Sequence, residues 1–291
     1  MLLEYICSES DASKSVKQII ESRFSLSART LSKLKNSRGI LVNGSVVTVR
    51  HILCDKDKLT LILSDVQNQS IKQSNIPLDI LYEDEYILCV NKPFNMPVHP
   101  SAKHHDGTLA NAVMYRYRNS PFTFRAITRL DGDTTGVVLI AKDALSAQRL
   151  TDELMKGNIK KEYSAVVEGI PKETEFTIDA PIARCPDSII KRMIDKGGKE
   201  AVTKILFDRT SISAKYSLLK AYPITGRTHQ IRLHLSYKGF PIYGDFLYGK
   251  EVSGVRTLLH CSSLSFKHPM TDEFITVSCN LPYDMALIMK Q

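Results

Sequence analysis

The segment AITRLDGDTTGVVLIAK, at residues 126–142, places a polar turn directly before an apolar run. The run, residues 137–141, is rich in β-branched side chains and predicts a strand buried on both faces. Gly132 and Gly136 permit backbone conformations closed to other residues, so the chain can bend sharply before it enters the core. Asp131 would then be held at the edge of a sheet, where a carboxylate can act on a ligand. Aspartate is also a common turn residue, so this segment alone does not decide a function.

The composition is that of a basic protein of ordinary hydrophobicity. The 291 residues are enough for two domains, 43% of them are apolar, and the formal net charge is +8. This positive charge favours polyanionic partners such as nucleic acid. We expect no membrane segment, because no apolar run approaches the length of a span, and no signal peptide in the first residues, MLLEYICSESD. Six cysteines are scattered without a C-x-x-C pair, so we expect free thiols and a cytoplasmic location.

The first 70 residues are interpreted as a separate small unit. A polar stretch rich in Ser, Asn and Gln, residues 64–76, separates it from the rest of the chain. We therefore predict a small domain, a linker and a large domain, at 1–70, 71–77 and 78–291. Ser27 is a suitable N-cap for a second helix in the small domain, from about residue 29 to residue 36. This helix and its end carry cations and no acid, which suits phosphate contacts or a solvated face: Arg29, Lys33, Lys35 and Arg38.

Four further segments stand in order along the chain: KPFNMPVHP at 92–100, KEYSAVVEG at 161–169, PITGRTHQIRLHLSYKGFPIYGDFLYG at 223–249 and LLHCSSLSFKHP at 258–269. Together with RLDGDTTG they resemble the signature blocks of the RluA-type pseudouridine synthases, from about residue 78 to residue 282. The resemblance implies an α+β fold, the pseudouridine synthase fold, with a mixed, largely antiparallel sheet, flanking helices and a central cleft. The first 70 residues, with a basic helix and an ILVNG hairpin, resemble the small α/β RNA-binding module named after the S-four ribosomal protein.

The family resemblance implies an RNA pseudouridine synthase, an isomerase that converts uridine to pseudouridine. The enzyme breaks the bond between uracil nitrogen and ribose, rotates the base and rejoins it through carbon, so neither a cofactor nor a metal is expected. Asp131 matches the family's catalytic aspartate, which either adds to the anomeric carbon or removes the neighbouring ribose proton. Arg232 matches the arginine that pairs with this acid. Tyr163 matches the tyrosine that stacks on the target uracil.

The same resemblance suggests which side chains contact RNA. Arg129 matches the family arginine that enters the space left by the flipped uridine. Arg227 and His229 lie where a helix begins, a favourable place for a phosphate. Lys92 is interpreted as either a structural residue or a phosphate contact. The basic segment 171–200 is predicted to form a hairpin or loop on the RNA-facing rim.

Two departures from the family pattern flank the aspartate. Thr128 stands where the family often has histidine, and Gly132 where it often has a basic residue. The absence of a positive charge at Gly132 is expected to affect which RNA is modified more than which reaction is catalysed, because Arg129, Asp131 and Gly136 are all present.

Other interpretations remain open at the level of sequence. The pair Asp131 and Asp133 could hold a metal in a nucleotide-sugar glycosyltransferase, and the chain could be a non-catalytic RNA-binding or ribosome-assembly protein on the same scaffold. His99, His104 and His105 share one loop without a cysteine or carboxylate at ligand spacing, so we expect no metal there. Large-subunit ribosomal RNA is the favoured substrate, transfer RNA is the alternative, and we expect a monomer.

Overall fold

A computed structural model describes residues 2–24, 26–63, 71–101 and 105–291. Residues 64–70, which belong to the predicted linker region, and His104 lie outside the described residues. The described strands form a four-stranded sheet, a nine-stranded sheet and a separate two-stranded hairpin.

The four-stranded sheet is built from the first 62 residues, in the order β1-β4-β2-β3. Its strands and helices are β1 (Leu2–Ile6), α1 (Val16–Ile19), α2 (Ala28–Asn36), β2 (Ile40–Val42), β3 (Ser45–Val46) and β4 (Lys58–Ile62), and a π-helical turn, Ile20–Phe24, continues α1. The predicted Ser27 N-cap is confirmed, because its hydroxyl accepts a hydrogen bond from Thr30 N at 3.2 Å. Leu31 and Leu34 of α2 are buried in this unit's own apolar core.

The rest of the chain, from residue 79 to residue 289, forms the larger domain and contains eleven strands and four helices among its described residues. These are β5 (Asp79–Glu83), β6 (Ile87–Lys92), α3 (Leu109–Arg116), β7 (Thr135–Ala141), α4 (Ala144–Met155), β8 (Lys160–Glu168), β9 (Glu175–Asp179), β10 (Ile182–Arg184), β11 (Arg192–Ile194), β12 (Val202–Thr210), β13 (Tyr216–Pro223), α5 (Gln230–Tyr237), β14 (Leu259–Lys267), β15 (Phe274–Ser278) and α6 (Tyr283–Met289). The large sheet has the order β5-β6-β7-β14-β8-β13-β12-β9, and β15 pairs with β14.

The predicted α+β class with a mixed, largely antiparallel sheet is confirmed. Among the described strands, every pairing in the large sheet is antiparallel except that of β7 with β14. The segment 171–200, predicted as a hairpin or loop, also contributes β9 to the edge of this sheet, and only then forms the hairpin of β10 and β11.

Strand β7 is buried on both faces, as its sequence predicts. All seven of its residues are buried, between antiparallel β6 and parallel β14. Gly136 has a φ of +113°, and a Cβ atom there would lie 2.1 Å from the carbonyl oxygen of Cys261 on β14. Glycine is therefore required where the two strands meet. The turn that contains Asp131 immediately precedes this fixed point.

The small unit packs against α4 of the larger part. Leu145, near the start of α4, belongs to the same apolar cluster as the small unit's core. Ser27 N donates a 2.7 Å hydrogen bond to Gln148 Oε1 on the same helix. The start of the basic helix α2 is thereby tied to the larger domain. None of the helices in the described ranges is long and apolar enough to cross a membrane.

Candidate active site

A cleft of about 630 Å³ opens between the turn before β7, strand β8 and the loop before α5. Its lining includes six of the side chains that the sequence analysis singled out: Arg129, Asp131, Tyr163, Arg227, His229 and Arg232. These residues come from three distant parts of the chain, and the fold brings them to one place. A volume of this size suits a nucleoside-sized ligand.

The turn that carries Asp131 is fixed on both sides by hydrogen bonds. Thr134 N donates to Asp131 O at 3.2 Å, which closes the turn. The Thr128 hydroxyl accepts from Leu139 N at 3.0 Å, which ties the preceding residues to β7. The Asp131 side chain is 31% exposed. A carboxylate is thus held in a defined place and remains accessible from the cleft.

Lys92 supports this turn from inside the protein. Its side chain is fully buried, and its Nζ donates to three carbonyl oxygens, those of Pro93 at 2.9 Å, Met96 at 2.8 Å and Gly132 at 3.1 Å. Burial lowers the pKa of Lys92 to about 7, against the opposing effect of Asp133 and Asp131. The prediction of Lys92 as an RNA contact is therefore corrected, because a side chain without exposed surface cannot reach a phosphate. Its role is the structural one that the sequence analysis also considered.

Arg232 stands between two carboxylates at the floor of the site. It donates from Nε to Asp245 Oδ2 at 2.8 Å and from Nη2 to Asp245 Oδ1 at 2.7 Å, and its Nη1 lies 3.7 Å from Asp131 Oδ2. Burial opposes the charge of the guanidinium, but the bonds to Asp245 outweigh it and raise the pKa of Arg232. The predicted proximity of Arg232 to Asp131 is present, although the bidentate contact is made with Asp245.

The loop before α5 is held in shape by Gln230. Its amide oxygen accepts from Arg227 N at 3.0 Å and from the Thr225 hydroxyl at 2.8 Å, while its nitrogen donates to Val202 O at 3.0 Å. Arg227 is exposed, and its Nε donates to Glu200 O at 2.9 Å. His229 points inward instead: its side chain is only 9% exposed, and Nε2 lies 3.9 Å from Asp131 Oδ2.

The predicted stacking residue, Tyr163, lines the cleft. It lies on β8 and is largely buried, and burial raises the pKa of its hydroxyl well above the ordinary value. The hydroxyl therefore stays protonated at neutral pH. The ring can present an apolar surface, and the hydroxyl can donate a hydrogen bond.

The remaining predicted RNA contacts lie on the surface. Arg129 is exposed at the rim of the cleft. On the small unit Lys33, Lys35 and Arg38 are exposed, and none of the three forms an ion pair with a carboxylate among the described residues. The backbone of Arg29 belongs to α2, but its side chain lies outside the described residues.

Three residues of the site were not identified from the sequence. Asp245 and Tyr248 belong to the GDFLYG end of the block at 223–249, and their position in that block was the available signal. Lys161 lines the cleft two residues before Tyr163 on β8, on the same face of the strand. Burial lowers the pKa of Lys161, and no carboxylate among the described residues forms an ion pair with it.

This arrangement is suited to acid–base or nucleophilic chemistry on a ring-bearing, anionic ligand. Asp131 supplies an accessible carboxylate, Arg232 a neighbouring cation, Tyr163 an aromatic surface, and the rim further positive charge. Among the described residues, no group of three His, Cys, Asp or Glu side chains is placed to hold a metal ion.

Comparison with known proteins agrees with this chemistry. Residues 86–237 match the family model described as RNA pseudouridylate synthase. The chain is 38% identical over 275 residues to the uncharacterized RNA pseudouridine synthase YjbO of Bacillus subtilis (strain 168), covering 91% of this chain and 95% of the relative. It is 34% identical over 277 residues to the ribosomal large subunit pseudouridine synthase D of Xanthomonas campestris pv. campestris, covering 89% of this chain and 82% of the relative.

A solved structure supports the same assignment at the level of the fold. The human RNA pseudouridylate synthase domain containing 1 superimposes with a TM-score of 0.61 at 27% identity, over 72% of this chain and 86% of that one. Motif blocks, fold, cleft and relatives agree, and the chain belongs to the RluA-type family of RNA pseudouridine synthases.

Proposed function

We propose that this pseudouridine synthase modifies a uridine in large-subunit ribosomal RNA and that Asp131 is its catalytic carboxylate. The reaction is an isomerisation: the N1–C1′ bond breaks, the base rotates, and a C5–C1′ bond forms. The proton lost from C5 is balanced by one gained at N1. Neither a net oxidation nor a water molecule is required.

The observation that carries the proposal is the placement of Asp131. Its Oδ2 faces the cleft at 3.7 Å from Arg232 Nη1, on a turn fixed by main-chain hydrogen bonds. From this position the carboxylate can either add to C1′ or remove the C2′ proton. Both routes use the same carboxylate in the same position, so they share the same first test.

Tyr163 and Arg129 complete the proposed binding of a flipped uridine. The Tyr163 ring would stack on the uracil, and its raised pKa favours hydrogen-bond donation over service as a base. Arg129, exposed at the rim, would occupy the space that the uridine leaves in the RNA. Unstacking a base costs a few kcal/mol, so such a replacement helps to hold the flipped state.

The choice of ribosomal RNA rests on the relatives. Proteins called ribosomal large subunit pseudouridine synthase D in Xanthomonas, Buchnera and Vibrio are 32–34% identical to this chain. The exposed cations of α2 would add affinity for RNA phosphates, as in the S-four type of module that the small unit resembles. The six free cysteines support a reducing compartment such as the cytoplasm.

The experiment is a single-turnover assay on RNA with the Asp131→Asn variant. We expect pseudouridine formation to be abolished while RNA binding and thermal unfolding stay close to wild type. Asp133→Asn is the matched control in the same turn and should keep most of the activity. Turnover by Asp131→Asn at the wild-type rate would overturn the assignment.

The substrate is identified separately, by mapping the pseudouridines that disappear from a deletion strain. Loss of a site in large-subunit ribosomal RNA, restored by wild type and not by Asp131→Asn, supports the proposal. Loss confined to transfer RNA would replace ribosomal RNA as the substrate and leave the reaction unchanged.

A further inference from the structure

His229 has a backbone conformation that is uncommon for residues other than glycine. It lies directly before α5 with φ +58° and ψ +18°, in the left-handed region. Residues with a Cβ atom adopt this region uncommonly, and those that do are often found at functional sites. The conformation turns the ring inward rather than toward the outer surface.

The ring of His229 is held between Tyr248 and Asp131. Its Nδ1 lies 3.0 Å from the Tyr248 hydroxyl, and its Nε2 faces Asp131 Oδ2 at 3.9 Å. The same hydroxyl accepts a 2.8 Å hydrogen bond from the main-chain N–H of Arg192. Because its oxygen already accepts from Arg192, the hydroxyl can direct its own proton to Nδ1. His229 then carries its proton on Nε2, the atom that faces the carboxylate.

The charges around the ring are consistent with the neutral tautomer. Burial has the largest effect and lowers the pKa of His229. The positive charges of Arg232 and Arg192 lower this pKa further, whereas the carboxylates of Asp131 and Asp245 raise it. Burial also raises the pKa of Tyr248, so its hydroxyl keeps a proton to donate. These groups come from the turn before β7, from α5, from β11 and from the loop after α5.

We propose that His229 is a positioning residue for Asp131, and that Tyr248 sets the tautomer in which it acts. The inference rests on the proposed catalytic role of Asp131. Nε2–H and Arg232 Nη1 would approach the same carboxylate oxygen from two sides and so fix the direction of the other oxygen toward ribose. The 3.9 Å separation would shorten as substrate binds, as is common for catalytic hydrogen bonds.

Tyr248 also connects this arrangement to the hairpin of β10 and β11, which the sequence analysis predicts to face RNA. Arg192 belongs to β11, one strand of the hairpin formed with β10. The turn of the hairpin exposes Ile189 and Ile190 beside Lys191. An RNA that contacts this hairpin would affect the position of the Arg192 amide, which orients the Tyr248 hydroxyl. The hydroxyl in turn would affect His229.

The first test reads the tautomer without measuring activity. Nitrogen-15 NMR of histidine-labelled protein, with the His229→Asn variant to identify the signal, should show a protonated Nε2 and an unprotonated Nδ1 at pH 7. In Tyr248→Phe, which keeps the ring and loses the hydroxyl, the Nδ1–H form should become populated. A neutral ring protonated on Nδ1 in the wild type would overturn the inference, because the histidine would then donate to Tyr248 and leave an unshared pair facing Asp131.

The second test is kinetic. We expect Tyr248→Phe and His229→Asn each to lower the single-turnover rate constant about tenfold, the loss typical of one hydrogen bond to a charged group. The double variant should be no slower than His229→Asn, and RNA affinity should be unchanged in all three. Asparagine is chosen because it tolerates the left-handed conformation. The exposed Tyr237 on α5 provides the control, Tyr237→Phe, which should keep wild-type rates.

Two outcomes would contradict the inference. If the fold-loss of rate in the double variant equals the product of the two single losses, Tyr248 and His229 act separately. If His229→Asn binds RNA more weakly but keeps its rate constant, His229 contacts an RNA phosphate, as the sequence analysis suggested, and does not position Asp131. Asp131→Asn distinguishes a failure of this inference from a failure of the proposed function, because it tests the carboxylate whatever the tautomer of His229.

Discussion

Arg232 and Asp245 form a buried bidentate ion pair, with both nitrogen–oxygen distances between 2.7 and 2.8 Å. Asp245 also accepts main-chain hydrogen bonds from Leu247 at 2.9 Å and Tyr248 at 3.2 Å, so it is itself held in place. The pair leaves one guanidinium nitrogen, Nη1, directed at Asp131. Asp245 thus fixes the arginine, and the arginine in turn faces the Asp131 carboxylate, which we propose to be catalytic.

This pairing predicts that Arg232 contributes to both stability and turnover. Arg232→Met leaves the Asp245 carboxylate buried without its partner, which costs about 3–5 kcal/mol in the free energy of unfolding. Arg232→Met/Asp245→Asn removes the unpaired charge and keeps an acceptor for the two amides, so it should recover most of that stability. Urea unfolding measures this recovery.

Turnover separates the two roles of Arg232. The double variant should remain at least 100-fold below wild type in a single-turnover assay, because nothing then faces Asp131 at the position of Nη1. If the double variant regained both stability and activity, Arg232 would be a structural residue alone.

The sequence predicted the central elements of the fold because their signals are local. The apolar run at 137–141 lies within β7, and the helix predicted from about residue 29 to residue 36 is observed as Ala28–Asn36. Periodicity and capping are properties of neighbouring residues, so they can be read without knowledge of the tertiary structure.

The side-chain partners in the site were harder to predict, since they depend on contacts between distant segments. The family resemblance implied that Arg232 lies beside Asp131, but it did not indicate the buried pairing with Asp245. It also could not show that His229 adopts a positive φ, which local patterns indicate for glycine rather than histidine. Burial of Lys92 depends on three carbonyls that converge only in the folded chain.

The lowered pKa of Lys92 predicts a pH dependence of stability. Its pKa is about 7 in the folded protein and 10.5 ordinarily, so the unfolded chain binds more protons between these values. The contribution of Lys92 to the free energy of unfolding therefore rises with pH across that window and is lost as the pH falls through about 7. The Lys92→Met variant lacks this pH-dependent contribution. The difference in unfolding free energy between wild type and variant should widen from pH 7 to pH 10 by a few kcal/mol, at roughly 1.4 kcal/mol per pKa unit.

Urea unfolding at several pH values checks this widening. Lys72→Met is the control, because Lys72 is exposed and its ion pair with Asp106 lies on the surface. The difference in unfolding free energy between Lys72→Met and wild type should stay constant from pH 7 to pH 10. A flat difference for Lys92→Met as well would mean that Lys92 stays protonated in the folded protein, held by its three carbonyl partners.

The two glycines of the RLDGDTTG turn should respond differently to alanine. Gly136→Ala places a Cβ atom 2.1 Å from the Cys261 carbonyl at a φ of +113°, so we expect a loss of roughly 3 kcal/mol or more in unfolding free energy. At Gly132 the nearest atom to an added Cβ is Pro97 Cγ at 4.0 Å, so Gly132→Ala should change stability by about 0.5 kcal/mol or less. Thermal unfolding compares the two. Equal losses would show that the turn as a whole, rather than the contact with β14, requires glycine.

Lys161 is predicted to improve RNA binding at the expense of stability. Lys161 is half-buried, and a half-buried ammonium without a carboxylate partner costs free energy in the protein alone. A phosphate or uracil carbonyl in the cleft would compensate that cost. Lys161→Met should therefore weaken RNA affinity about tenfold and leave the free energy of unfolding unchanged or higher. The adjacent Lys160 is exposed, and Lys160→Met is the matched control that should do neither. A variant that is less stable and binds RNA normally would assign Lys161 to packing.

The exposed cations of α2 should contribute affinity without affecting chemistry. Lys33 and Lys35 are exposed, so each could neutralise one phosphate and release its counterion. Lys33→Gln and Lys35→Gln should each reduce the slope of log affinity against log salt concentration by about 1, while the rate constant at saturating RNA stays near wild type. Lys17→Gln is the control, because Lys17 lies 3.6 Å from Glu21 and adds little net charge. A slope that stays the same in both variants, with an unchanged affinity at low salt, would mean that this face of α2 is solvated and that RNA is bound by the larger domain alone.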